Sequence, residues 1–176
     1  MLTTTTVSDR FRTLLDTATV FDLPAAERWY DDARAFAESL RPFNGWSLEV
    51  SASVVSAFSP RVTWALNKRK AEQYALGITP KGLRSHVIAA DRCVVEGFDG
   101  LRGLKTNAFA RAIAGDTDAV VVDVWMCRAA GLPKDAPTVR QYRIVANAVR
   151  EVASAYNMAP ATMQALLWII VRGKAE

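Results

Sequence analysis

Between Thr138 and Tyr156 the apolar residues Tyr142, Val145, Val149 and Val152 recur at steps of three and four. That spacing follows the 3.6-residue turn of an α-helix, so one face of the segment is apolar and has to be buried. Thr138 stands where a helix N-cap belongs. The same period runs through most of the chain, punctuated by glycine and proline. A first helix is read over 7–18, with Phe11, Leu14 and Leu15 on one face. Pro24 suits the first turn of a second, which runs to about Leu40 and is broken by Arg41-Pro42-Phe43-Asn44-Gly45. A third covers 47–58. Ser59 as cap and Pro60 just inside it open a fourth, which ends before Gly77. Others are read over 82–95, 105–114 and 123–130, stopping at Gly97, Gly115 and Gly131. Pro160 opens the last, which carries Met163, Leu166, Leu167 and Ile170. Ala119 to Val122 has strand propensity, but no partner strand is visible, so it reads as an extended approach to the helix at Asp123. The expected fold is all-α, about nine helices in two closely packed lobes. Residues 1–176 form a single domain, with the threonine-rich 1–6 as a flexible tail.

With 51% hydrophobic residues the chain can bury a real core. Cys93 and Cys127 are far apart, no CxxC occurs, and His86 is the single histidine. A zinc ribbon, a four-cysteine cluster and a histidine-rich metal site are thereby excluded. No secretory signal is read at the N-terminus, and the longest apolar run, Ala165 to Val171, is far too short to cross a bilayer. The expectation is a cytoplasmic monomer without a membrane partner. Lysine and arginine number 22 against 18 acidic residues, a net +4 that says little by itself. The distribution says more. Arg61, Lys68, Arg69 and Lys70 cluster, and Arg102, Lys105, Arg111 and Arg128 surround one segment.

That segment is Gly100-Leu101-Arg102-Gly103-Leu104-Lys105-Thr106, a glycine-bearing hairpin that opens a helix. Glycine lets the backbone turn tightly and approach another surface. Free N–H groups at a helix start favour an anion, phosphate above all, and Arg102 would strengthen this. Asp123 follows an apolar run 18 residues beyond Lys105 and stands at the next helix start. The intervening helix is short and the loop tight, so lysine and aspartate could face one cleft.

These two stretches resemble the helix–hairpin–helix DNA glycosylases, the superfamily of endonuclease III and the 8-oxoguanine glycosylases. Leu101-Arg102-Gly103-Leu104-Lys105-Thr106 matches that family's hairpin and lysine. Val121-Val122-Asp123-Val124-Trp125-Met126 is similar to its Val-Asp-Val-His-Met segment. Upstream, Val55-Ser56-Ala57-Phe58-Ser59-Pro60 followed by Asn67-Lys68 and Ala71 is similar to a further stretch of the same enzymes. The likeness runs over roughly residues 47–172. It departs where Gly-Leu-Arg-Gly replaces the usual Gly-Val-Gly and where Trp125 replaces histidine or threonine. The resemblance implies a helix–hairpin–helix motif, DNA as partner, and a flipped base as substrate. It implies Asp123 as the carboxylate that stabilises a sugar cation or activates water, and Lys105 as a Schiff-base nucleophile. Gly100, Arg102, Gly103, Thr106, Arg61 and Lys68 are the expected DNA contacts, and Trp64, Trp125 and Phe109 the expected base pocket. No cofactor is implied beyond a monovalent cation at the hairpin. Compact relatives are carried by phages, in which case the host cytoplasm is the location.

Each of these residues also has an ordinary explanation. Aspartate at a helix start is usually a cap, and a basic helix face is usually solvated. Tryptophans at helical spacing are usually core, and Gln164 with Trp168 one turn later fits plain helix packing. Three other functions compete with a glycosylase. One is an enzyme of the same fold that installs or alters a hypermodified pyrimidine. Another is a non-catalytic DNA-binding module, and the last a helical adaptor.

Overall fold

The computed structural model describes residues 2–173. Among them the protein is all-α, with nine α-helices, one 3-10 turn and no strand. In chain order these are α1 (Thr4–Leu15), α2 (Asp22–Asn44), α3 (Leu48–Ala57), α4 (Trp64–Ala75), α5 (Arg84–Glu96), the 3-10 turn Gly97–Gly100, α6 (Leu104–Ala114), α7 (Val124–Ala129), α8 (Val139–Ala155) and α9 (Pro160–Arg172). The chain divides into two compact units, Met1–Tyr30 with Asp116–Glu176, and Asp31–Gly115; the boundary falls inside α2. No described helix is long and apolar enough to cross a membrane.

Two helix starts differ from expectation. The threonine run does not form a tail at 3–6. Thr3 caps α1, and its hydroxyl and that of Thr6 each accept the other's backbone N–H, closing a capping box. Ser59 and Pro60 do not open α4. Thr63 does, with its hydroxyl accepting from the Leu66 N–H at 3.3 Å. Arg61 precedes it at φ +61°, a left-handed conformation that costs a residue with a Cβ about 1–2 kcal/mol.

In the first unit α8 carries the core. Val145, Val149 and Val152 are wholly buried, in one cluster with Val7 and Phe11 of α1 and Met163 and Leu167 of α9. Each such side chain contributes about 1.5–3 kcal/mol on leaving water. Thr138 and Gln141 close a capping box at the start of α8, as Thr138's position predicts. The β-prone run Ala119 to Val122 stays extended without a partner strand. The Tyr142 hydroxyl donates to the Val120 carbonyl at 2.8 Å and accepts the Val122 N–H at 3.3 Å. One side chain thus satisfies two backbone groups that a sheet would otherwise have had to pair.

In the second unit α3 is buried over its whole length from Ser51 to Ala57, and it packs on α4, α5 and α6. Its serines and alanines are small enough for neighbours to approach from several sides. The Ser56 hydroxyl donates to the Thr106 carbonyl of α6 at 2.7 Å. Gly100 is buried against α5, and a Cβ there would lie 2.6 Å from the Cys93 backbone nitrogen. That close approach seats the hairpin on α5.

Candidate functional site

Asp123 ends the buried run Val120–Val122 and caps α7 from an extended conformation. Its Oδ1 accepts the backbone N–H groups of Trp125 and Met126, each at 3.0 Å. Its Oδ2 accepts the indole Nε1–H of Trp168, also at 3.0 Å. Three donors from two helices therefore fix one half-buried carboxylate. Trp168 is in turn held from two sides: the Trp29 ring lies 5.1 Å away, tilted by 33°, and the Arg172 guanidinium stands 4.7 Å from the indole.

Two phenols complete this neighbourhood. The Tyr30 hydroxyl donates to Gln164 Oε1 at 2.6 Å. Burial, helped by the negative charge of Asp123, holds that hydroxyl far above the ordinary phenol range. Burial pushes the Tyr142 hydroxyl up to about 12. Both are proton donors at neutral pH, not bases. Cys127 is no nucleophile: burial, then Asp123, push its thiol up to about 11. Trp125 takes the Arg128 guanidinium on its face at 4.8 Å, and Arg128 also grips Asp135 through Nε at 3.2 Å and a second nitrogen at 2.9 Å. Chemically, the arrangement offers a fixed carboxylate, neutral hydroxyls and indole surfaces. That suits stabilising a positive charge better than supplying an attacking group.

Lys105, Trp64, Phe109 and Lys68 belong to the unit Asp31–Gly115, whereas Asp123 and Trp125 belong to the other. Lys105 occupies the first turn of α6, its Nζ 3.3 Å from the Ser59 hydroxyl and 5.8 Å from the Phe109 ring. Phe109 meets Trp64 edge-on at 6.3 Å, and Lys68 stands 5.6 Å over Trp64. So three of the residues expected to bind DNA or a base form one cation–aromatic cluster with Lys105, the expected nucleophile. Arg61, Arg102, Gly103 and Thr106 line a cleft in the same unit. Arg102 pairs with Glu96 at 2.9 Å, and the Thr106 hydroxyl donates to the Gly103 carbonyl at 3.1 Å. Gly100 is buried against α5, so its missing side chain serves packing.

Three carbonyls of the hairpin are engaged within the protein: Phe98 O accepts from the Leu101 N–H and the Asn107 amide, Gly100 O from Arg92, and Gly103 O from the Asn107 N–H and Thr106. Among the described residues no group of three or more His, Cys, Asp or Glu side chains is placed to hold a metal.

Sequence reasoning passed over Tyr30 and Trp29, read Tyr142 only as part of an apolar helix face, and read Gln164 and Trp168 as ordinary helix packing with a pocket role as the alternative. A signal was present for the last two. Gln164 is the one polar side chain in the apolar run Met163 to Val171, and at 4% exposure it has to be paired. Trp168 follows it one turn later on the same face. Tyr30 and Tyr142 carried no local signal, since their partners lie far away in the chain.

No curated protein and no solved structure matches the chain. One family model does, over residues 1–175, and the chain therefore belongs to that family, described as a family of unknown function (DUF7178).

Proposed function

We propose that the protein acts on a flipped base in DNA as an N-glycosylase, with Asp123 as the charged group beside the sugar. The observation that supports this reading most is the fixation of the Asp123 carboxylate by three N–H donors beside indole and phenol side chains. When the bond from C1′ to the base breaks, the base leaves with the electron pair and the sugar becomes cationic. A carboxylate already held in place stabilises that cation without reorganising at the moment of reaction. It can also orient the water that adds to C1′. Trp125, in the same unit, is the candidate stacking partner of the extruded base. A second reading places the chemistry within the unit Asp31–Gly115, where the Lys105 amine bonds to C1′, ring opening leaves a Schiff base, and Trp64 and Phe109 stack on the base.

Mass spectrometry of DNA carrying uracil, 8-oxoguanine, hydroxymethyluracil or ordinary bases tests this. The wild type should release one free base, and Asp123→Asn should release it at least about 100-fold more slowly. Borohydride should trap a covalent adduct that Lys105→Ala cannot form. The three bonds to Asp123 also suit a purely structural helix cap. On that reading DNA binding persists, salt-sensitive, with no base released from any substrate. A change in base mass without release would instead mark a base-modifying enzyme.

A further inference from the structure

His86, Ala90 and Cys93 form the buried side of α5, which packs on α3. The opposite side carries Arg84, Ile88, Asp91 and Val95, at steps of four, three and four. That is the seam spacing by which one helix lies along another. Here the seam is open: Ile88 is 45% exposed, Val95 85%, and Val94 beside it 38%. The Tyr74 hydroxyl donates to Asp91 at 2.6 Å and so brings the end of α4 alongside. Leu76 and Ile78, just beyond Tyr74, are exposed as well. Large aliphatic side chains gathered on an outer surface and rimmed by charge mark an interaction site.

The charges indicate what fits there. α5 begins with Arg84 and ends with Glu96, and it has no acid in its first turn and no base in its last. Both charges oppose the helix dipole, which favours acids at the start and bases at the end. An antiparallel neighbour relieves both, because it brings its own C-terminal end to Arg84 and its N-terminal end to Glu96. A copy of α5 itself completes the pattern. Arg84 lies four residues before Ile88, and Asp99 lies four residues after Val95. A register that sets Ile88 against Val95 of a second copy therefore also sets Arg84 near the second copy's Asp99, and a twofold axis repeats both contacts. Neither Arg84 nor Asp99 has an ion pair among the described residues. A phosphate backbone, by contrast, would meet Asp91, Glu96 and Asp99 along this face.

We propose that two copies of the chain associate through α5, antiparallel about a twofold axis near Asp91, in place of the monomer expected from the sequence. The 13 residues of α5 span about 20 Å. A single helix face buries less than the standard ~800 Å² per copy, so the dimer is weak, with a Kd on the order of 10–100 µM. The two Asp91 carboxylates approach each other near the axis, and that like-charge contact weakens it further.

Sedimentation velocity of the full chain over roughly 1–500 µM tests this, and the wild type should pass from monomer to dimer within that range. Val95→Glu, a change on the surface, should weaken association at least about ten-fold and leave the Tm unchanged. Arg84→Glu and Asp99→Arg should each weaken it too, because each sets like charges together at both ends of the helix pair. An equimolar mixture of those two variants should associate again, since opposite charges then meet at both ends. No other partner, and no other register, predicts that rescue. A wild type that stays monomeric at about 500 µM overturns the proposal and leaves the stripe to a partner of another kind. So does a dimer indifferent to Val95→Glu, or a mixture no tighter than its separate components. None of these readouts involves base release, so the dimer and the glycosylase reading stand or fall separately.

Discussion

Replacing Asp123 by asparagine separates what its carboxylate does for the fold from what it does for chemistry. The carbonyl oxygen of the new amide must stay with the N–H groups of Trp125 and Met126, since an amide nitrogen there would face two donors. The amide nitrogen is then turned toward the Trp168 indole N–H, donor against donor, across a contact that measures 3.0 Å in the wild type. A hydrogen bond to a charged acceptor is worth about 1.5–3 kcal/mol. Asp123 is only half-buried, so the lower part of that range applies, about 2 kcal/mol. In a chain of this size that lowers the Tm by about 4–8 °C. Trp168→Phe removes the same bond from the other side and also leaves a small void. With both changes the donor–donor conflict is gone, and the void appears in both legs of the cycle and cancels. The double variant should therefore lose about 1–2 kcal/mol less than the sum of the single losses, read from urea denaturation. Additivity within about 0.5 kcal/mol would mean that the two side chains do not interact, and the account of the site would fail. If base release also disappears in Asp123→Asn at a temperature where the variant is fully folded, the loss is chemical and not structural.

Tyr142→Phe should cost about 2–4 kcal/mol, because it strips partners from the buried Val120 carbonyl and Val122 N–H; a denaturant midpoint within error of wild type would refute the role assigned to that hydroxyl. The lowered pKa of His86 means that the folded state prefers the neutral imidazole. Its contribution is complete above the unfolded value of about 6.5 and is lost as pH falls from there through the lower folded value. Stability should therefore decline between about pH 7 and pH 5, and His86→Gln should remove that part of the slope; an unchanged slope would assign it to other groups.

Much of the helical order was legible because it rests on local signals. Thr138 with Gln141, the apolar spacing of α8, Pro160 at the start of α9 and the glycine stops all act within one or two turns. Elsewhere the local signals misled or gave no reason for what the chain does. Ser59-Pro60 is a good helix start in isolation, yet the turn there runs through a left-handed Arg61 and α4 begins at Thr63. The valines before Asp123 have the propensity of a strand, and only Tyr142, about 20 residues later, explains why they need none. Asp123 itself stood out by its place after an apolar run. Trp168, which shares its carboxylate, lies 45 positions away and could not be paired with it from spacing alone.

The division of the chain at Tyr30 and again at Gly115 bears on the order of events during synthesis. Unit Asp31–Gly115 is continuous, so its contacts can close as soon as α6 leaves the ribosome. The other unit has its first helix before that segment and α8 and α9 after it. Val7 and Phe11, made before the segment, stay without their α8 and α9 packing partners while everything through α7 is translated, which takes on the order of ten seconds. A translational pause or a premature stop before α8 therefore leaves the apolar face of α1 open to chaperones and proteases. It does so without disturbing the segment between, and the N-terminal helix becomes the part of the chain most exposed to a fault at the C-terminal end.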